Sequence, residues 1–275
     1  MKKYYSVLSI AGFDGSGGAG IQADIKTISA LGAYATTVLT ALPVQNTTGV
    51  KSIHPIPEEV VANQLDCISE DIPPMAIKIG MVHTPALARV IGDWLKNNPK
   101  VPVVFDPVMV ASSGDHLIEE ETIESIKEHI LPFATVLTPN MDEAAILAQK
   151  SVKTREEMHS AASYILNQYS FALLMKGGHL DTETLTSYLY LRPNQYVAYD
   201  FPKIETRNTH GSGCSLSSAL ATYLAFGETI ENATKKAQDY VHQAILNGKD
   251  ISTGKGHGPL NHLFNPQKMK IYELV

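Results

Sequence analysis

Cysteine is scarce in this chain: 275 residues contain two, Cys67 and Cys214, and no Cys-x-x-Cys pair. A disulfide framework and a zinc ribbon are thereby excluded, and a reducing compartment fits. A basic excess is also missing. With 22 Lys and Arg against 28 Asp and Glu, the formal charge is -6, which leaves no face for bulk phosphate-backbone contact, so nucleic acid is not an expected partner. A small anion is another matter, because a local nest of amides holds a phosphate even on an acidic protein. The apolar stretch that follows Tyr5 is broken by Gly12 and Asp14, too soon for a signal-peptide core or a membrane span. The expected location is the cytoplasm, with no membrane partner. No Pro/Gly/Ser-rich linker, charge block or internal repeat divides the chain, so residues 1–275 are expected to form one domain.

What is present is a hydrophobic fraction of 44%, enough for a sizeable core, arranged as strand followed by helix again and again. Residues 5–11 read as a buried strand, residues 12–20 as a glycine-rich loop, and Ile21, Ile25, Ile28 and Leu31 as the inner face of a helix stopped by Gly32. Further strands are predicted at 36–42, 50–53, 76–79, 101–105, 135–137 and 171–175, with 187–191 and 196–200 as antiparallel edge strands around Pro193-Asn194. Helices are predicted at 57–70, after Thr84-Pro85, at 119–130, through Ala144 and Ala145, at 154–167, from Gly211 onward and at 230–246. Residues 108–115 are small enough to act as a lid. This order predicts a three-layer α/β/α sandwich around a mostly parallel sheet, whose ligands sit beyond the carboxyl ends of the strands. Loops beginning at Gly12, Gln45, Gly80, Asp106, Asn140, Lys176 and Gly211 would then meet on one rim.

Two of those loops are rich in glycine. Gly15 to Gly20 fits the dinucleotide pattern G-x-G-x-x-G, but the acidic residue required about twenty positions on is lacking, since no Asp or Glu lies between Asp24 and Glu58. No Gly-Lys-Ser/Thr follows either loop, which argues against a phosphate-loop NTPase. The second loop, Gly211-Ser212-Gly213-Cys214, runs into a helix of small residues. Its amides would face an anion, and the helix start would lower the pKa of the Cys214 thiol. Asp24, near the start of the first helix, suits the helix dipole as well as it suits a ligand. Gln45 offers a donor and an acceptor side by side, a match for the edge of an aminopyrimidine. Asn140 and Glu143 read either as a capping box or as an amide and a carboxylate facing metal-bound phosphates. Lys176, between a strand and two glycines, could set an ammonium against a phosphate. The histidines form no metal-ligand spacing, and His257 and His262 read as structural or surface residues.

Taken in order, Ala11-Gly12 through Gly17-Gly18-Ala19-Gly20-Ile21-Gln22-Ala23-Asp24, Gln45-Asn46-Thr47, Asp106-Pro107-Val108-Met109, Thr138-Pro139-Asn140-x-x-Glu143, Lys176-Gly177-Gly178-His179 and Asn208 to Cys214 resemble the hydroxymethylpyrimidine/phosphomethylpyrimidine kinases of thiamine biosynthesis, in the ribokinase-like superfamily. The resemblance runs nearly the full chain. It implies ATP-dependent phosphorylation of 4-amino-5-hydroxymethyl-2-methylpyrimidine and then of its monophosphate, with Mg²⁺, in a homodimer. By matching position, Asp24, Gln45, Met81 and Val108 would line the pyrimidine pocket. Asp106, Asn140, Glu143 and Lys176 would take the ATP phosphates, with Asp106 and Glu143 holding Mg²⁺ directly or through water. Gly211, Ser212, Gly213 and Cys214 would form the catalytic loop, with Cys214 orienting or deprotonating the alcohol. The chain departs from many relatives at Ser112, where they carry lysine. Pyridoxal kinases of a related branch are the alternative, but they often carry a lid cysteine that is absent here, and Gln45-Asn46-Thr47 favours the pyrimidine. A non-catalytic pyrimidine binder would have lost Lys176, Glu143 and the glycine loop, all of which are present.

Overall fold

A computed structural model describes residues 1–98, 101–109, 118–178 and 183–273. Twelve strands and eight α-helices are described: β1 Lys2–Tyr4, β2 Ser6–Ala11, α1 Gly20–Ala30, β3 Tyr34–Leu39, β4 Ala41–Asn46, β5 Gly49–Pro55, α2 Glu58–Asp71, β6 Ala76–Ile79, α3 Pro85–Lys96 and β7 Val103–Phe105. They continue with α4 Glu120–His129, β8 Val136–Leu137, α5 Met141–Ala148, α6 Arg155–Leu166, β9 Ala172–Met175, β10 Thr184–Arg192, β11 Gln195–Pro202, α7 Ser212–Ala225, α8 Ile230–Gly248 and β12 Ile271–Glu273. Eight strands make the central sheet in the order β11-β10-β9-β8-β7-β6-β2-β3. The pairs from β9 through to β3 are parallel, while β10 is antiparallel to both β9 and β11.

The middle strands β2, β6, β7, β8 and β9 are buried throughout, as expected of parallel strands covered on both faces. Side chains alternate between two cores. Val7, Ala76, Val104, Val136 and Leu174 pack with Ile28 of α1, Leu216 and Leu220 of α7 and Ala237 of α8. Leu8, Ile77, Phe105, Leu137 and Leu173 pack with residues of α2 to α6, such as Leu65, Ile91, Ile126, Leu147 and Ile165. The predicted three-layer α/β/α arrangement is therefore present.

Three local readings differ from the structure. The strand expected at 36–42 ends at Leu39, and the chain leaves the sheet at Thr40, whose hydroxyl donates to the Met81 carbonyl at 2.7 Å. The stretch expected to be a turn at 45–49 is instead the distal part of a hairpin, with β4 antiparallel to β5 and Gln45 opposite Val50. Helix α1 also turns a different face inward. Ile25 is 39% exposed, whereas Asp24 is completely buried, because a polar pocket between α1, β6 and α7 receives the carboxylate. The proposed lid at 108–115 lies largely in residues 110–117, which with His179 fall outside the described residues.

Candidate active site

Lys176 follows β9 directly, in a parallel bridge with Asn140, three residues beyond the neighbouring strand β8. Its ammonium lies 3.0 Å from Oδ1 of Asp106, the residue after β7, and 3.9 Å from Oε2 of Glu143 in the first turn of α5. Adjacent parallel strands end at the same level, which is why three residues from distant parts of the chain meet. Asp106 also accepts from Thr138 Oγ1 at 3.1 Å. Burial alone would lower the Lys176 pKa, but Asp106 and then Glu143 carry it above the ordinary lysine value. Glu143 is pushed the other way for a carboxylate. Burial raises its pKa to about 7; Lys176 opposes the rise and Asp106 adds to it. Asn140 and Glu143 form the reciprocal capping box, with Glu143 N donating to Asn140 Oδ1 and Asn140 N donating to Glu143 Oε2, and the same carboxylate faces Lys176.

The start of α7 comes up against this cluster. A Cβ added at Gly213 would stand 3.4 Å from Lys176 Nζ and 3.6 Å from Asp106 Oδ2, so the helix start and the charged groups line a common space. Gly211 is the N-cap, with φ 82°, and no side chain caps the helix there. First-turn amides and the dipole are thus directed at that space. A Cβ at Gly211 would sit 1.8 Å from the Gly18 carbonyl oxygen, so glycine is required by close approach as well as by φ. One expectation is corrected. The Cys214 thiol is not acidic: burial raises its pKa to about 11, and the opposing effect of Lys78 does not compensate. At a partly buried helix start surrounded by protein, desolvation of a thiolate outweighs the dipole.

The first glycine loop has no room for a nucleotide phosphate. Its amides are already taken by an internal carboxylate, since Asp14 accepts from the N–H groups of Ser16 at 2.9 Å, Gly18 at 3.2 Å and Ala19 at 2.7 Å. The G-x-G-x-x-G spacing therefore serves an intramolecular anion, which removes the dinucleotide reading on structural grounds. Across the loop, His210 Nε2 lies 2.8 Å from Asp14 Oδ2.

Of the expected pyrimidine-contact residues, Gln45, Met81 and Val108 keep to the same rim. Gln45 is half-buried on β4 and its backbone carbonyl lies near Gly15; Met81 is buried with its sulfur against Gly12; Val108 is half-buried after β7. Asp24 does not face the opening. Its Oδ2 accepts from Lys78 Nζ at 2.8 Å and Ser9 Oγ at 2.6 Å, and its Oδ1 from Ser218 Oγ at 2.7 Å. Lys78, Asp14 and His210 are the polar positions near the site that reading the sequence did not single out. A lysine inside the apolar run 75–79 was the available signal for the first, because a buried ammonium requires a buried partner. His262, as expected, is structural: buried beside Ser215 Oγ at 3.0 Å, its pKa is lowered to about 4 by burial.

No group of three or more His, Cys, Asp or Glu side chains suited to holding a metal occurs among the described residues. Two buried carboxylates and an unsaturated helix start fit a divalent ion that takes most of its ligands from phosphate oxygens and water.

A family model for phosphomethylpyrimidine kinase matches residues 14–261. The hydroxymethylpyrimidine/phosphomethylpyrimidine kinase of Rhizobium meliloti is 43% identical over 256 residues, covering 93% of this chain and 96% of that protein. The crystal structure of phosphomethylpyrimidine kinase from Clostridium difficile aligns with a TM-score of 0.76 and 39% identity, over 87% of this chain and 99% of that one. The pyridoxal kinase from Staphylococcus aureus in complex with AMP-PCP and pyridoxal aligns with a TM-score of 0.85 and 29% identity, over 99% and 100% of the two chains. On the motif order, the site geometry and these likenesses together, the chain is a kinase that belongs to the phosphomethylpyrimidine kinase family.

Proposed function

We propose that this protein phosphorylates 4-amino-5-hydroxymethyl-2-methylpyrimidine and then its monophosphate, using ATP and Mg²⁺, in thiamine biosynthesis. The observation that carries the reading is the meeting of Gly213 with Lys176 and Asp106. It sets a helix start, a cation and two carboxylates around one point, on the rim that also carries Gln45. In the first step the alcohol oxygen bonds to the γ-phosphorus of ATP as the bond to the ADP oxygen breaks, and the hydroxyl proton passes to an oxygen of the transferred phosphoryl group and from there to solvent. Bound ATP supplies the phosphoryl group, and Mg²⁺ neutralises charge on its phosphates.

Lys176 offsets charge on the transferred group, and the amides at Gly213 and Cys214 hold its oxygens. Asp106 and Glu143, with Asn140 orienting Glu143, would hold the metal. A loose transition state asks for little prior deprotonation of the alcohol, so a protonated Cys214 thiol suits an orienting role better than that of a preformed base. Gln45, Met81 and Val108 would contact the ring, with Asp24 acting from behind through Lys78.

The protein would work in the cytoplasm as a homodimer of single-domain chains. No described helix is long and apolar enough to cross a membrane. The likeness to a pyridoxal complex supports one second reading, phosphorylation of pyridoxal. The test is to incubate the purified chain with ATP, Mg²⁺ and each alcohol in turn and to identify products by mass spectrometry. Mono- and diphosphorylated pyrimidine are expected. Turnover of pyridoxal alone would favour the second reading, and no turnover of either alcohol would refute both.

A further inference from the structure

Helix α7 begins at Gly211 with no side-chain cap, so contacts other than a cap set where its first turn points. The Ser212 N–H is taken by the Thr209 carbonyl at 3.1 Å and the Ser215 N–H by the Gly211 carbonyl at 2.9 Å. The donors left for a ligand are those of Gly213 and Cys214, which have no acceptor within the helix.

His210, the residue before that N-cap, is held at three points. Its N–H donates to the Gly258 carbonyl at 3.0 Å. Its ring lies against Gly18, where an added Cβ would stand 2.4 Å from Cδ2. Its Nε2 lies 2.8 Å from Asp14 Oδ2. An ionised carboxylate only accepts, so the proton on that bond sits on Nε2. This third contact is the charge-assisted one and hence the strongest of the three.

Asp14 is 1% exposed and is itself anchored. Besides the three loop amides its carboxylate accepts from Ser16 Oγ at 2.7 Å, and its own N–H donates to Gln22 Oε1 of α1 at 2.8 Å. Burial alone would raise its pKa, but the donors around it, His210 foremost, hold it far below the ordinary carboxylate range. One fixed carboxylate thus joins the first glycine loop to the residue that leads into the second.

We infer that Asp14 is a positioning residue that acts through His210 on the start of α7, holding the amides of Gly213 and Cys214 where the transferred phosphoryl group needs them. The inference rests on the phosphoryl-transfer reading proposed above. Misplacing such donors by about 1 Å costs about 10²-fold in rate. Ground-state ATP, which Lys176 and the metal also hold, loses little, because the amides matter most where charge develops.

Two variants of His210 provide the test. His210→Phe keeps a ring against Gly18 and removes the donor to Asp14, whereas His210→Gln keeps a donor. In His210→Phe, kcat should fall about 30- to 100-fold, while KM for the pyrimidine alcohol and Kd for AMP-PCP change by less than about threefold. Affinity for ADP with aluminium fluoride and the alcohol, which together mimic the group in transfer, should fall by the same factor as kcat. His210→Gln should recover kcat to within about fivefold of the original.

A residue that only stabilised the fold would lower the denaturation midpoint in these variants and leave kcat per folded molecule in place. Unchanged kcat in His210→Phe, an equal loss in His210→Gln, or a proportional loss of AMP-PCP binding would overturn the inference. Should His210→Phe not fold, Asp14→Asn takes its place, since it offers one acceptor oxygen instead of two. The same split between kcat and AMP-PCP binding is expected there, and an unchanged kcat overturns the inference. Unmodified protein that phosphorylates neither the pyrimidine nor pyridoxal refutes the functional reading itself, before any variant is compared.

Discussion

Lys78 and Asp24 form an ion pair at 2.8 Å in which neither side chain is exposed to solvent. β6 supplies the lysine and α1 the aspartate, while Ser9 of β2 and Ser218 of α7 donate to the remaining carboxylate positions. The pair thus pins two helices to the centre of the sheet, directly behind the start of α7. Burial would lower the Lys78 pKa, but Asp24 raises it above the ordinary lysine value.

Breaking one half of such a pair strands the other. Lys78→Met should destabilise the fold by about 3–5 kcal/mol, and Lys78→Met/Asp24→Asn should recover most of that loss, because no unpaired charge remains. Denaturant titration of both variants measures this. Since the folded pKa of Lys78 is raised, its contribution is fully present below the unfolded lysine pKa and disappears only as pH rises through the folded value. The contribution of this pair should therefore not vary with pH near neutrality; a loss from Lys78→Met below about 1 kcal/mol would contradict the account.

Cys214 and Cys67 differ in the environment of their sulfur. Cys67 is exposed on α2, whereas the Cys214 thiol is pushed up to about 11 by burial. Only thiolate is alkylated, so iodoacetamide at about pH 7.5 should modify Cys67 at least about tenfold faster than Cys214. Peptide mass spectrometry reads both sites at once. Cys214→Ser should keep more turnover than Cys214→Ala, since a hydroxyl still donates and accepts where a methyl does neither. Equal turnover in Cys214→Ala and the original chain would remove Cys214 from the reaction.

Much of the fold was legible because parallel strands are apolar on both faces and end in punctuating residues. Gly12, Gly80, Asp106, Asn140 and Lys176 each follow a strand, so their common rim followed from topology alone. The hairpin of β4 and β5 was harder to read. Its strands are exposed on alternate residues and β4 contains Pro43, so neither apolar periodicity nor turn residues marked its ends. The Asp24 and Asp14 networks were invisible for a different reason. Their partners lie 54 and 196 residues away, and no local spacing encodes a contact of that range. The acidic thiol expected at Cys214 failed because helix position is read from sequence and desolvation is not.

Glu143 carries a pKa raised to about 7, mainly by burial. A carboxylate whose folded pKa lies above its unfolded value makes the folded state bind the extra proton. Folding stability therefore falls as pH rises from the ordinary glutamate pKa to the folded one, and levels off above it. Glu143→Gln removes this dependence while keeping the capping box, because glutamine fills that position as well. Relative to the original chain the variant should gain stability between about pH 5 and about pH 8, measured as the shift in denaturation midpoint. Turnover should fall about 100-fold if this carboxylate holds the metal. A variant that is destabilised at the higher pH would show that the Lys176 contact dominates.

Gly211 gives the sharpest test of the second glycine loop. With φ at 82° and a hypothetical Cβ 1.8 Å from the Gly18 carbonyl oxygen, alanine there would be strained and would also push the two glycine loops apart. Strain of this kind costs about 1–3 kcal/mol, which a domain of ordinary stability survives. The amides of Gly213 and Cys214 would then point away from the transferred phosphoryl group, and loss of such donors lowers kcat by about 10²–10³-fold. Gly211→Ala should accordingly stay folded by circular dichroism, bind an ATP analogue with little change and lose kcat by that factor. Gly227→Ala is the matched control, since φ there is 83° with nothing within 4 Å of an added Cβ and it lies at the far end of α7. It should bring the strain without the loss of turnover. Equal kinetic losses in the two variants would mean that backbone strain, and not the position of the amides, accounts for the effect.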